Sequence, residues 1–410
     1  MFEREHKLRH MPFFEAIAST DEGDANWHAA TAGLVVLRLV DSWIEDGPRA
    51  DDDIWPIESV RCSIDALNSH ANLRSVLHTI VDVMEMAGRA DIHVVAPRLM
   101  AYGQLLEYDA NWTLATDVYQ SLLSHLHPKL DSDACVAAQL RLGYSLKNLN
   151  MLDDANVAFN HAFEIASSSE DIVGVLRARI GEAKISMVRG NLSRAEQILD
   201  ETIDRSVSEQ LSEVRASALH DRSSVAHFRG QYELAIKLAY QALELVQSPS
   251  QRDRMLSDIA TAFMELGVYS AAHDAYMVLA ATAQEQFVRW AATINLMELA
   301  WRVGSEPHFE SHRRELAGVE LPPHLATAVE LTLGSGYRRF GDLERSGKHF
   351  RRALHLATEH SQNQYIFEAE ESLLELNQPP RATRNPPASL SLEVSEVAEA
   401  IKGLRLDVGV

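Results

Sequence analysis

The sequence predicts an all-α protein built as a stack of antiparallel helix pairs. Three observations carry this expectation. Positions 115, 155, 195, 235, 272, 309 and 346 repeat one local pattern at intervals of 40, 40, 40, 37, 37 and 37 residues. Five residues before each of them stand Ala110, Asn150, Gly190, Gly230, Gly267, Gly304 and Gly341, five glycines in seven places in a chain with 19 glycines. The intervening segments are rich in Ala, Leu, Glu and Arg, with apolar residues three and four apart, which is the period of an amphipathic helix.

Each repeating column has a physical reason. The glycine column is where the chain must reverse between two helices, and a helix often ends on a residue of positive φ, which Gly or Asn tolerates best. Gly103, Gly143, Ala183, Ser223, Ala260 and Gly334 lie twelve residues before the repeating position and form a first anchor. Ala115, Ala155, Ala195, Ala235, Ala272 and Ser346 form the second. The two anchors lie on opposite helices, where small side chains let the backbones approach closely. Four residues on come Tyr119, Phe159, Leu199, Ala239, Tyr276 and Phe350, expected to pack toward the neighbouring hairpin.

The segment LGSGYRRFGDLERSGKHFRRALHLA (333–357) looks by itself like a glycine loop for a phosphate. Such a loop needs a strand before it and a helix after it. Here Gly334 is a first anchor and Gly341 a turn, so the glycines read as architecture. Gly336 and Gly347 are left without a role. The copy at 297–316 carries Met297 and Phe309 at the anchors. Two large groups there are expected to wedge the hairpin, with Gly304 keeping the register.

Leu142-Gly143-x2-Leu146…Ala155-x3-Phe159 and Ala260-x2-Phe263…Gly267-x-Tyr269…Ala272-x3-Tyr276 resemble the tetratricopeptide repeat (TPR) family. The resemblance covers residues 91–358, with Pro128 and Pro249 near the family's helix-ending proline. It implies a right-handed superhelical α-solenoid. The family's leading Trp is missing, and a period of 37–40 exceeds the usual ~34. The longer form is similar to the helical-repeat modules of bacterial peptide-sensing and transcriptional regulators.

The flanks follow another pattern. Residues 1–90 read as a helical cap, with helices over 27–46, 56–71 and 73–87 and an acidic turn DGPRADDD between the first two. A stacked repeat cannot leave its end face in water. Residues 359–376 supply a C-terminal capping helix. In 377–410 a Pro-rich linker precedes a short helix with Val394, Val397, Ile401 and Leu404 on one stripe. The tail, 391–405, is expected to pack back on the body or to detach as a peptide for this protein's groove or a partner's.

Composition excludes several functions. A net charge of −21 disfavours nucleic acid, which needs a basic footprint. Two cysteines, Cys62 and Cys135, make no disulfide framework and read as buried thiols. The charged start MFEREHKLRH leads into no apolar run, and GLVVLRLV (33–40) is too short to cross a membrane; a cytoplasmic setting without membrane attachment is expected. No HExxH, GxSxG or Walker lysine motif occurs, so neither an enzyme nor a cofactor site is expected. His125 and His127 point apart on a helix and read as a solvent-facing helix end. His220 and His227 share a face but lack further ligands, so no metal site is expected.

Within the resemblance, the first helix of each pair lines a concave channel that holds peptides. Carried onto this chain, the lining positions are Tyr144, Lys147, Arg177, Lys184, His220, Ser224, His227, Arg254, Thr261, Glu298, Trp301 and Arg338, with Arg141, Arg302 and Arg339 adjacent. The set is basic in an acidic chain, which implies an acidic protein or peptide partner. Met100, Gln104 and Leu140 stand where the family's carboxylate clamp has Lys and Asn, so chaperone tails are not expected. The expected function is a non-catalytic scaffold or regulator, or alternatively a ligand- or peptide-sensing module of a bacterial-type signalling or transcription system acting on a separate effector.

Overall fold

The computed structural model describes residues 9–46, 57–68, 70–87, 91–360, 362–378 and 389–409. Among them every regular element is a helix. The chain divides into two compact units, Met1–Ile198 and Leu199–Val410.

Four helices open the first unit: α1 (Met11–Ala18), α2 (Ala25–Asp46), α3 (Ile57–Asp65) and α4 (Ala71–Ala87). The sequence reading missed α1. It also ran α3 on to residue 71, whereas the helix stops at Asp65 before Asn68, a residue whose side chain competes with helical hydrogen bonds. The acidic turn DGPRADDD beyond Asp46 and most of the Pro-rich linker lie outside the described residues. Then come α5 (Ile92–Tyr108) with α6 (Trp112–His125), α7 (Ser132–Asn148) with α8 (Leu152–Ser168), and α9 (Ile172–Val188) followed by α10 (Leu192–Ser208). The second unit continues with α11 (Ser212–Phe228) on α12 (Tyr232–Leu245), α13 (Pro249–Leu266) on α14 (Tyr269–Thr282), α15 (Gln286–Arg302) on α16 (Glu306–Leu316), and α17 (Pro323–Arg339) on α18 (Leu343–Glu359). Last are α19 (Asn363–Leu374) and α20 (Leu392–Val408). Within each unit consecutive first helices touch: α5 with α7 and α7 with α9; α11 with α13, α13 with α15, and α15 with α17.

The turn column behaves as its chemistry demands. All seven residues take positive φ, from 57° at Ala110 to 88° at Gly341. Glu170 and Gln210 do the same, at 59°, where one pair passes to the next. No glycine marks those two positions, so the sequence pattern did not show them.

The anchors meet as expected. Ser346 Oγ donates to the carbonyl of Gly334 at 2.7 Å. The third-position rings also pack within their own pair, which the sequence reading did not expect. A Cβ on Gly334 would fall 2.5 Å from the Phe350 ring, and one on Gly143 would fall 2.8 Å from Phe159. Phe159 also reaches the next pair, where a Cβ on Gly181 would lie 2.3 Å from its ring. The irregular copy keeps its register: Gly304 has φ 77°, and Met297 and Phe309 are both fully buried. The Phe309 ring is accommodated by Gly336 of α17, where a Cβ would sit 2.2 Å away. That gives Gly336 the role the sequence left open.

The N-terminal helices of the first unit are tied to α6 by a buried polar node. His10 begins α1 with φ 63° and is 4% exposed. Its ring donates through Nδ1 to Asp117 of α6 at 2.6 Å and through Nε2 to Asp41 of α2 at 3.2 Å. Asp41 also accepts from Arg9, Ser121 and His125, at 3.1, 3.1 and 2.8 Å. Burial opposes the imidazolium, yet the bonds to Asp117 and Asp41 outweigh it and push the His10 pKa up to about 9. Asp41 is likewise desolvated, but His10 and His125 hold it well below the usual carboxylate range. The His125 side chain is therefore covered and engaged, not solvent-facing. Cys135 is buried, whereas Cys62 is exposed, against the reading of two buried thiols.

In the second unit α20 lies across α12 and α14. Val394, Val397 and Ile401 join the core of those helices, at 0%, 6% and 0% exposure. Glu393 pairs with Lys237 of α12, and Arg405 with Asp274 of α14 at 3.3 Å. No helix among the described residues is long and apolar enough to cross a membrane.

Candidate functional site

In the first unit, α5, α7 and α9 turn one face of each helix to a common cleft of about 430 Å³. Arg141, Tyr144, Arg177 and Lys184 line its wall, and Leu140, Ile180 and the Phe159 edge form its floor. The floor exists because Gly181 has no side chain, which lets the α8 ring show between α7 and α9. Lys147 stands one turn along, its Nζ 5.3 Å from the Tyr144 ring centroid. Trp112 meets the same ring edge-on at 5.7 Å. Both contacts hold the tyrosine upright against the wall.

Arg141 is fixed from behind. Its guanidinium donates to Glu107 at 3.0 Å, and Ser145 donates to the same carboxylate at 3.2 Å. Burial pushes the Glu107 pKa up, while Arg141 and Ser145 favour its ionised form. Three cations line the cleft, of which Arg141 is held by Glu107, in a chain of net charge −21. Such a cleft suits a ligand that brings carboxylates to the wall and an apolar group to the floor.

The positions in the second unit are arranged differently. Ser224, His227 and Thr261 line a smaller cleft of about 160 Å³ together with Asp258. His220 Nε2 lies 2.6 Å from that Asp258, so a carboxylate already neighbours the basic group. Thr261 shares a 3.0 Å hydrogen bond with Tyr276. Arg302 is bound by Glu298 at 2.7 Å and Glu265 at 3.6 Å, and its guanidinium sits 5.5 Å from the Trp301 ring centroid. Arg254 and Arg339 are exposed.

Arg338 corrects the sequence reading. Its guanidinium donates to the carbonyls of Glu375 and Gln378, at 2.6 and 3.1 Å, and its side chain is 12% exposed. The end of a helix leaves carbonyls without partners, and a cation satisfies them. Arg338 thus caps α19 instead of facing a ligand. The sequence reading also missed the cleft floor. Ile180 and Phe159 carry no chemical signature, and only the interior glycine at 181 hinted at a ring packed close against α9. Among the described residues no group of three or more His, Cys, Asp or Glu side chains forms a metal site.

The geometry defines a TPR-like helical-repeat protein with a cleft on its first helices. No protein-family model and no curated protein sequence matches the chain. Solved structures do. The apo form of the quorum sensor NprR from B. thuringiensis is 13% identical, with a TM-score of 0.50 over 84% of this chain and 91% of that one. The apo form of RapI is 12% identical, with a TM-score of 0.50 over 86% of this chain and 97% of that one. At these identities the likeness is one of fold.

Proposed function

We propose that the chain is a peptide-responsive regulator that carries out no catalytic step. Its ligand is an acidic peptide or protein segment held in the cleft of α5, α7 and α9, and its output passes to a separate effector in the cytoplasm. In this reading residues 91–358 form the binding array, 1–90 and 359–376 cap it, and 377–410 carry the appended helix. One observation supports it most: three cations, Arg141, Arg177 and Lys184, gather in one cleft beside the apolar surface of Leu140, Ile180 and Phe159. Carboxylates of the ligand would be drawn to the positive wall, while the Leu140, Ile180 and Phe159 surface takes an apolar side chain. The fold likeness to the quorum sensor NprR agrees with a sensing role.

The test is fluorescence anisotropy of the full chain with labelled peptides that alternate Asp or Glu with Leu, against sequence-matched lysine versions. The acidic series should bind. Arg177→Glu with Lys184→Glu should weaken binding at least tenfold, about 1.4 kcal/mol, with an unchanged far-UV circular dichroism spectrum. Equal binding of the lysine series would refute the reading.

A further inference from the structure

The repeat makes grooves on its other face as well. Between α14 and α16, over α15, lies an apolar pocket of about 270 Å³ bounded by His273, Leu299, Val303, His308 and His312. It is open, and Val303 is 53% exposed. One 37-residue period earlier stand Ile236, Ala262, Leu266, Ala271 and Ala275. These residues bound the equivalent groove between α12 and α14, and all of them belong to or pack against the core that Val394, Val397 and Ile401 of α20 complete. The same groove is therefore covered in one repeat and open in the next.

That contrast bears on what α20 is. Among the described residues no helix lies over the outer groove of the next pair of hairpins, so the repeat folds without one there. α20 touches α12 and α14, and two ion pairs register it: Lys237 with Glu393 and Asp274 with Arg405. Three apolar residues at helical spacing with an acid near the start and a base near the end are the pattern of a helix that lies in a groove. We infer that the α12/α14 groove is a docking site for an amphipathic helix of a partner protein, and that α20 is its resident competitor in cis. The partner helix has the same chemistry: three aliphatic side chains on one stripe, an acidic first turn for Lys237 and a basic last turn for Asp274. This site is separate from the first-helix cleft and does not depend on it.

The experiment uses the full chain and a labelled synthetic peptide of residues 389–409 as the probe. Tethering gives the resident helix an effective concentration near millimolar, so the wild-type chain should bind the peptide weakly. Val397→Asp with Ile401→Asp places carboxylates in the apolar groove and releases the tail. That variant should bind the peptide at least about tenfold more tightly than wild type. Adding Lys237→Glu to it should weaken binding of the native peptide, and a peptide with Glu393→Lys should restore it. Equal binding by wild type and released chains, or loss of the helical fold in the released variant, would overturn the inference by making α20 an integral part of the core. A wild-type dimer formed by tail exchange would also overturn it, because the occupant would then be a second copy of this chain.

Discussion

His10 offers the sharpest quantitative test of the structure. Moving a histidine from its ordinary pKa of 6.5 to about 9 in the folded state corresponds to about 3 kcal/mol of folding free energy. The sign follows from the direction. The folded state binds the proton more tightly, so the stabilisation is fully present below pH 6.5 and is lost as pH rises through 9. Asp41 sets the other limit: its folded pKa is depressed, so its contribution is complete above the ordinary value of 3.8 and is lost progressively as pH falls from there through the folded value. The perturbation is His10→Gln, which keeps polarity and approximate size but cannot carry charge. In calorimetry of the full chain, the transition that contains the first unit should fall in the variant. For a unit of this size about 3 kcal/mol is about 6–12 °C at pH 6. The gap between wild type and variant should shrink steadily between pH 7 and pH 10. Strain from the positive φ at residue 10 is common to both chains and to every pH, so it cannot imitate this trend. A gap independent of pH would show that His10 is neutral in the fold and would refute the node.

Two further outcomes follow from individual contacts. Gly336→Val should destabilise the second unit by about 1–3 kcal/mol through overpacking against Phe309, read as a lower urea midpoint with an unchanged slope. Arg338→Ala should speed amide hydrogen exchange at the end of α19 while leaving acidic-peptide affinity within about twofold of wild type, because the cap is worth of order 1 kcal/mol locally and faces no ligand.

The architecture was legible because one folding problem is solved seven times. Each reversal needs a left-handed residue and each close approach needs a small one, so Gly190, Gly230, Gly267, Gly304 and Gly341 stand out by period alone. The His10 node was illegible for the opposite reason. Its partners are 31 and 107 residues away, and it occurs once. Arg338 was misread because its type and helical position suit a ligand-facing residue equally well. Its carbonyl partners lie 37 and 40 residues later, with no motif of their own. The cleft was half legible. Its cations sit at predictable helical positions, but its floor depends on Phe159 passing Gly181 from a second helix, which linear spacing cannot express.

The repeat also separates what folds the chain from what it recognises. The first-anchor column runs Gly103, Gly143, Ala183, Ser223, Ala260, Met297 and Gly334. Six of the seven are small, because two backbones must approach there whatever the protein does. The next residue in each copy runs Gln104, Tyr144, Lys184, Ser224, Thr261, Glu298 and Ser335. Every copy holds these residues at equivalent places on its first helix, yet size and charge change at nearly every step. In a solenoid each hairpin contacts only its neighbours, so a side chain turned away from those contacts can vary without cost to the stack. A demand of folding would have repeated down this column as it does down the one beside it. Uniform geometry with non-uniform chemistry is what a surface needs if successive hairpins within a unit are to contact different parts of a ligand.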